Sequence, residues 1–196
     1  MNRRVGTALL MACRMGFLLA ALSISLTGCN PVPPGEDSDI DAVRAFHAKV
    51  LELGTAGVPR QDAIDALGPF ISERFRQRLL AARAAEDAER ARHGGTEPPL
   101  LQGSLFHSLF EGAHRIISVE KEPNPDSFLV TLEYGYEDAP ETGKTTWQDR
   151  TWLTTERGLR VVEDLEYLGQ WEFGTKGRLS VILENVGRDF FPQQDL

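Results

Sequence analysis

Apolar and polar positions alternate most cleanly in the second half of the chain. Phe128, Val130, Leu132, Tyr134 and Tyr136 occupy every second position. Successive side chains of a strand point to opposite faces, so this spacing predicts a strand with one apolar, aromatic face. Ile117 and Val119 alternate in the same way within His114–Glu122, and Pro123-Asn124-Pro125-Asp126 supplies the turn between the two strands. A third strand is predicted over Thr145–Thr155. It sets Trp147, Asp149, Thr151 and Leu153 on one face and Gln148, Arg150 and Trp152 on the other. Glu156-Arg157-Gly158 predicts a tight turn into a fourth strand, Leu159–Leu168, with Leu159 and Val161 facing one way. The segment Leu179–Val186 fits either a last strand or a short helix.

The first half carries the helical period. Val43, Phe46, Val50 and Leu53 recur on one stripe, and Ser38 with Asp41 reads as a capping box in which Asp replaces Glu. Gly54 and Gly57 stop this helix. Pro59 suits the first turn of a second helix, Arg60–Leu67, and Gly68 with Pro69 separates it from a third. The third is predicted over Phe70–His93, with Ile71, Phe75, Leu79 and Ala82 on one face. Its charged end, EDAERAR, reads as a solvated surface. Helices followed by a run of antiparallel strands predict a single α+β domain over residues 40–196, with the helices packed on one face of the sheet.

Charge narrows the partners. The 196 residues hold 21 Lys and Arg against 29 Asp and Glu, a net charge of −8, which argues against nucleic acid as a partner. The N-terminal residues have a different character. Arg3, Arg4 and Arg14 accompany an uncharged, mostly apolar stretch from Met15 to Leu26, shorter than the roughly 20 apolar residues that cross a bilayer. That order predicts a secretory signal over residues 1–28. Leu26-Thr27-Gly28-Cys29 resembles the lipobox of bacterial lipoproteins. The resemblance implies a diacylglyceryl group on the Cys29 thiol, cleavage between Gly28 and Cys29, and acylation of the new amino terminus. Several acyl chains hold a protein stably where one chain binds only marginally. Asn30 stands where an Asp tends to retain such proteins at the inner membrane, so the resemblance implies an outer-membrane anchor facing the periplasm. Cys13 leaves with the signal and Cys29 carries lipid, so no disulfide is expected. Cleavage removes three arginines and takes the net charge to −11. Such a body is repelled by anionic headgroups. Residues 29–39, with the Pro-rich run NPVPPGEDS, are expected to form a tether whose nine residues reach about 28 Å.

The order of helices and long strands, ending in RGLRVVEDLEYL, resembles the nuclear-transport-factor-2-like cone fold over Ile40 to Leu168. Leu105-Phe106-His107-Ser108-Leu109-Phe110 resembles the LFxSLF-like segment of uncharacterised proteobacterial lipoproteins. The first likeness implies a curved, cone-like sheet wrapped around helices and often an internal pocket. Its members include enzymes, binding domains and structural domains, so it does not choose among them.

The candidate chemistry is thin. His107, Glu111 and His114 have the i, i+4, i+7 spacing of a zinc face, but Gly112 interrupts it and no HExxH accompanies it; a loop with a capping histidine is the expectation, with no metal. Asp149 on the Trp147 face, with His107 and Tyr134, outlines an acidic, aromatic-lined pocket. Asp164 and Glu166 share a strand face and read as an acidic strand end. Gly174-Thr175-Lys176-Gly177 lacks the full phosphate-loop spacing and reads as a hairpin turn. No GxSxG elbow occurs, and no cysteine remains for nucleophilic catalysis. The expectation is a lipid-anchored envelope module that binds a protein or small ligand without catalysis or a cofactor. The alternative is an envelope enzyme using Asp149 or His107 as its acid or base.

Overall fold

The computed structural model describes residues 36–95, 98–135, 143–172 and 174–190. The signal segment, Cys29 and the Pro-rich run to residue 35 lie outside the described residues, as does Tyr136. Among the described residues, four α-helices and a five-stranded antiparallel sheet make up an α+β fold. The helices are α1 (Glu36–Leu53), α2 (Gln61–Leu67), α3 (Glu73–Arg92) and α4 (Leu179–Phe190). The strands β1 (Arg115–Lys121), β2 (Ser127–Tyr134), β3 (Thr145–Glu156), β4 (Leu159–Tyr167) and β5 (Gly177–Arg178) run side by side in chain order. Among the described residues no helix is long and apolar enough to cross a membrane.

α1 lays its stripe of Val43, Phe46 and Val50 against β1, β3 and β4. α3 packs on α4 and β4 with Phe75, Leu79 and Ala82. Phe46, Phe75, Phe106 and Phe128 are fully buried and form one cluster with Leu132, Leu165 and Leu183. Each such ring contributes roughly 2–3 kcal/mol through lost water contact.

Several elements depart from the pattern read in the sequence. α1 starts at Glu36, so the end of the expected tether and its Ser38 cap belong to the helix. The third helix does not begin at Phe70. A 3-10 turn occupies Gly68–Phe70, Ile71 bridges in parallel to Val162, and the Ser72 N–H donates to the Val162 carbonyl. Ser72 is the true cap: its hydroxyl accepts the Phe75 N–H and donates to the Glu163 carboxylate. A helix start leaves its first N–H groups unpaired, and a serine oxygen there satisfies one of them. The charged end of α3 is not wholly solvated either. Glu86 is 4% exposed and accepts the Leu100 N–H from beyond the helix.

Two irregularities re-aim side chains in the sheet. The register shifts between Ile116 and Ser118, so Ile117 points outward at 45% exposure while Val119 stays buried. A second shift lies between Trp152 and Leu153. Opposite it, Val161 and Val162 are both buried and Leu159 is 63% exposed, against the alternation expected there. Extra residues of this kind bend the strand and raise its twist. Past the second shift the free edge of β4 is covered by Ile71 and Ser72 at one end and by β5 at the other.

The expected acidic strand end is built into these contacts. The Asp164 carboxylate accepts the Ser180 N–H and hydroxyl in the first turn of α4, where a negative charge complements the helix dipole. Glu166 accepts from Arg150. Residues 174–176 lead into β5, and 179–186 is helix rather than strand.

Candidate functional site

The segment 98–113 has neither helix nor strand, yet Leu105, Phe106, His107 and Ser108 are buried. Its backbone closes on itself where the Ser104 N–H donates to the Phe110 carbonyl. Two side chains of the sheet hold it: the Tyr167 hydroxyl on β4 donates to the Leu105 carbonyl, and Asp149 lies on the inward face of β3, only 1% exposed. The Asp149 carboxylate accepts the Ser108 N–H at 2.9 Å, the Ser108 hydroxyl, the Trp147 indole N–H at 2.9 Å and the Leu168 N–H at 3.1 Å. Burial pushes its carboxyl above the usual range, and these four donors pull it back. A carboxylate has about four lone-pair sites, and here four donors already take them. Asp149 is therefore an internal brace. The Ser108 hydroxyl oxygen in turn accepts the Gly169 N–H at 3.0 Å, fixing the chain as it leaves β4.

Beneath this brace lies a pair of buried histidines. His47, on the apolar stripe of α1, shares a 2.8 Å hydrogen bond between its Nε2 and the Thr151 hydroxyl. His107 pairs its Nδ1 with the Ser104 hydroxyl at 2.9 Å. The two rings are 6.1 Å apart, and His107 meets the Trp147 indole edge-on at 6.5 Å. His47 Nδ1 and His107 Nε2 have no hydrogen-bond partner among the described residues. Burial holds His47 down at about 3, with the neighbouring His107 adding to it, and holds His107 down at about 4. Both are neutral at pH 7.

A concavity of about 630 Å³ opens at the sheet end beside the brace. β3 begins there at Thr145, but its pairing to β4 begins only at Asp149 with Tyr167. Among the described residues no strand therefore pairs with Thr145–Gln148 on that side. Leu168, Gly169, Gln170 and Trp171 diverge and form the opposite wall. The floor carries Trp147 and Trp171, packed edge to face at 5.5 Å. The described lining is completed by Thr131, Thr145, Thr146 and Gln148, and none of it is charged. Comparison with protein-family models, curated proteins and solved structures finds no match. The site has to be read from its own geometry.

The four residues expected to share a pocket do not surround one cavity. Trp147 lines the groove just described, whereas His107 lines a separate cavity of about 270 Å³ with Phe110, Glu111 and His114. Tyr134 packs against His114 with ring centroids 4.5 Å apart and the planes tilted by 39°, and Asp149 is sealed beneath the groove. His107, Glu111 and His114 share that smaller cavity without sharing a helical face. Among the described residues no group of three His, Cys, Asp or Glu side chains could hold a metal ion. Gln170 and Trp171 were not legible as site residues, because nothing in the segment after Gly169 is periodic. His47 did carry a signal: Val43, Phe46, His47 and Val50 follow the i, i+3, i+4, i+7 spacing of a buried stripe.

Proposed function

We propose that the chain is a lipid-anchored binding module of the bacterial cell envelope, held by acylated Cys29 and engaging its ligand in the Trp147–Trp171 groove without catalysis. The observation that carries the binding reading is the groove itself. It is concave, within the roughly 300–1,000 Å³ of small-ligand sites, and lined by two indoles with a few convergent polar groups. The alternative, an envelope hydrolase, has less to rest on. Acid–base catalysis needs a titratable group in reach of the substrate, and the described lining has none. Asp149 is committed to four donors below it. The resemblance to the cone fold fits a sheet with two bulges and helices on one face.

The anchor rests on Leu26-Thr27-Gly28-Cys29 and on the basic, then apolar, segment before it. Its placement in the outer membrane is what the lipoprotein resemblance implies for Asn30 after the cysteine. Two measurements test the proposal. Cys29→Ala is expected to leave an unprocessed precursor with no incorporated acyl label, and normal maturation of that variant refutes lipidation. Pulldown of the full chain from solubilised envelope is expected to recover a ligand or partner, and Trp171→Ala is expected to lose it. Capture that Trp171→Ala leaves unchanged moves the binding site elsewhere.

A further inference from the structure

We infer that the Trp147–Trp171 groove is a site for an uncharged saccharide of more than one ring. This inference rests on the groove being a binding site, and it assigns the chemistry of the occupant.

The lining decides the chemical class. The chain is 26% charged, yet none of the nine described residues around the groove is. A phosphate, carboxylate or ammonium ligand would meet no counter-charge among the described lining residues, and desolvating an unpaired charge is expensive. The Gln148 amide N–H already donates to the Thr131 hydroxyl at 3.3 Å and the Gln170 amide N–H to the Leu168 carbonyl at 2.9 Å, so a purely apolar ligand would strand the amide oxygens of both glutamines and the hydroxyls of Thr145 and Thr146. Amides and hydroxyls both donate and accept, so they match a ligand whose own groups are hydroxyls and amides. Trp171 supplies the complement, half-buried and backed by Trp147, which is only 7% exposed: a pyranose has a face of C–H bonds that an aromatic surface covers, and a rim of hydroxyls that polar side chains meet.

The groove is also held in shape before any ligand arrives. Trp147 spends its indole N–H on Asp149, which leaves the ring for packing. Trp171 is fixed against Trp147 and against Gly169, where an added Cβ would fall 2.2 Å from the Trp171 ring and 2.6 Å from the Ser108 Cβ. Gly169 is in turn tied to Ser108. Rigid aromatic walls lower the ordering cost of binding. The free edge of β3 raises a rival occupant, an extended peptide added as a strand. Strand addition draws its affinity from a main-chain ladder, and Thr145–Gln148 offers only a short one. The lining therefore favours the saccharide.

The test uses the full chain in detergent and follows tryptophan emission during titration with uncharged tetrasaccharides. The probes are β-1,4-linked N-acetylglucosamine and β-1,4- and α-1,4-linked glucose, with a tetramer of hexuronic acid as the anionic comparison. At least one neutral tetramer is expected to give a saturable blue shift and to bind at least tenfold more tightly than the acid. Trp171→Ala, and separately Gln148→Leu on the exposed face of β3, are expected to weaken binding about tenfold, or about 1.4 kcal/mol. Co-sedimentation with purified cell-wall sacculi assigns the sugar to the wall; binding of the tetramer alone assigns it to a free oligosaccharide. Binding of no neutral tetramer overturns the inference, as does binding that both variants leave intact. A Ser/Thr-rich peptide that binds in place of the sugars, sensitive to Trp171→Ala, overturns it in favour of strand addition. If the sugars fail while Trp171→Ala still abolishes capture from the envelope, the binding reading survives and only the saccharide assignment falls.

Discussion

Acid should loosen this fold well before its carboxylates protonate, and the buried histidine pair sets the size of the effect. An unfolded histidine takes up its proton near pH 6.5, whereas His47 and His107 resist until about 3 and about 4. Below pH 6.5 the unfolded chain therefore binds two protons that the native chain does not. The sign follows: the stability is fully present above pH 6.5 and is lost as pH falls toward the native values. Each histidine removes about 1.4 kcal/mol per pH unit in that window. Between pH 7.5 and pH 5.5 the pair removes about 3 kcal/mol, a large part of the 5–15 kcal/mol typical of a domain. Asp149 pulls the other way, because burial raises its carboxyl and favours the native state as pH falls. A paired comparison removes that contribution. His47→Gln keeps an amide toward Thr151, and His107→Asn keeps one toward Ser104. Urea unfolding of the parent and the double variant at pH 7.5, 6.5 and 5.5, at fixed salt, gives the two slopes. The parent is expected to lose about 3 kcal/mol more than the double variant across the range, and each single variant to recover about half of the difference. Equal slopes in parent and double variant would refute the reasoning, whatever their absolute stabilities.

Other perturbations read other parts of the structure. Asp149→Asn places an amide donor against the Ser108 and Trp147 donors and is expected to lower stability by about 2–4 kcal/mol in urea titration; a change below about 0.5 kcal/mol would show that the brace is unimportant. Ser72→Ala removes the α3 cap and the donor to Glu163, and an unfolding midpoint lowered by about 1 kcal/mol of stability is expected. Ile117→Ala should change stability by less than about 0.5 kcal/mol, whereas Val119→Ala should cost about 1–3 kcal/mol. Equal losses from the two would mean that β1 keeps the unbroken alternation of its sequence.

The parts of the fold that were legible are those where one period runs unbroken. Phe128, Val130 and Leu132 alternate and are all buried, and the α1 stripe packs as its spacing predicts. Trp147, Asp149, Thr151 and Leu153 share the inward face of β3 as read. The errors sit where one residue changes the phase. A bulge moves every later side chain of a strand to the other face, and nothing in Ile116-Ile117-Ser118 announces it. Ser72 was hidden for a different reason. Phe70 and Ile71 extend the apolar spacing of α3 backwards, so the period masked a cap that the serine itself suggests. The site was the least legible part. Asp149 could be placed on the correct face, but its role depends on Ser108 and Leu168, which are distant in sequence. Whether a carboxylate is a reagent or a brace depends on what meets it in space.

The ion pair between Asp39 and Arg160 has a mechanical consequence. Arg160 on β4 grips α1 through Asp39 at 3.0 Å and, with its other nitrogen, the β1–β2 turn through Asp126 at 2.8 Å. Traction on the chain ahead of Glu36 meets this rivet within a few residues, before it reaches the buried stripe of the helix. Strain entering there is shared between β4 and the β1–β2 turn.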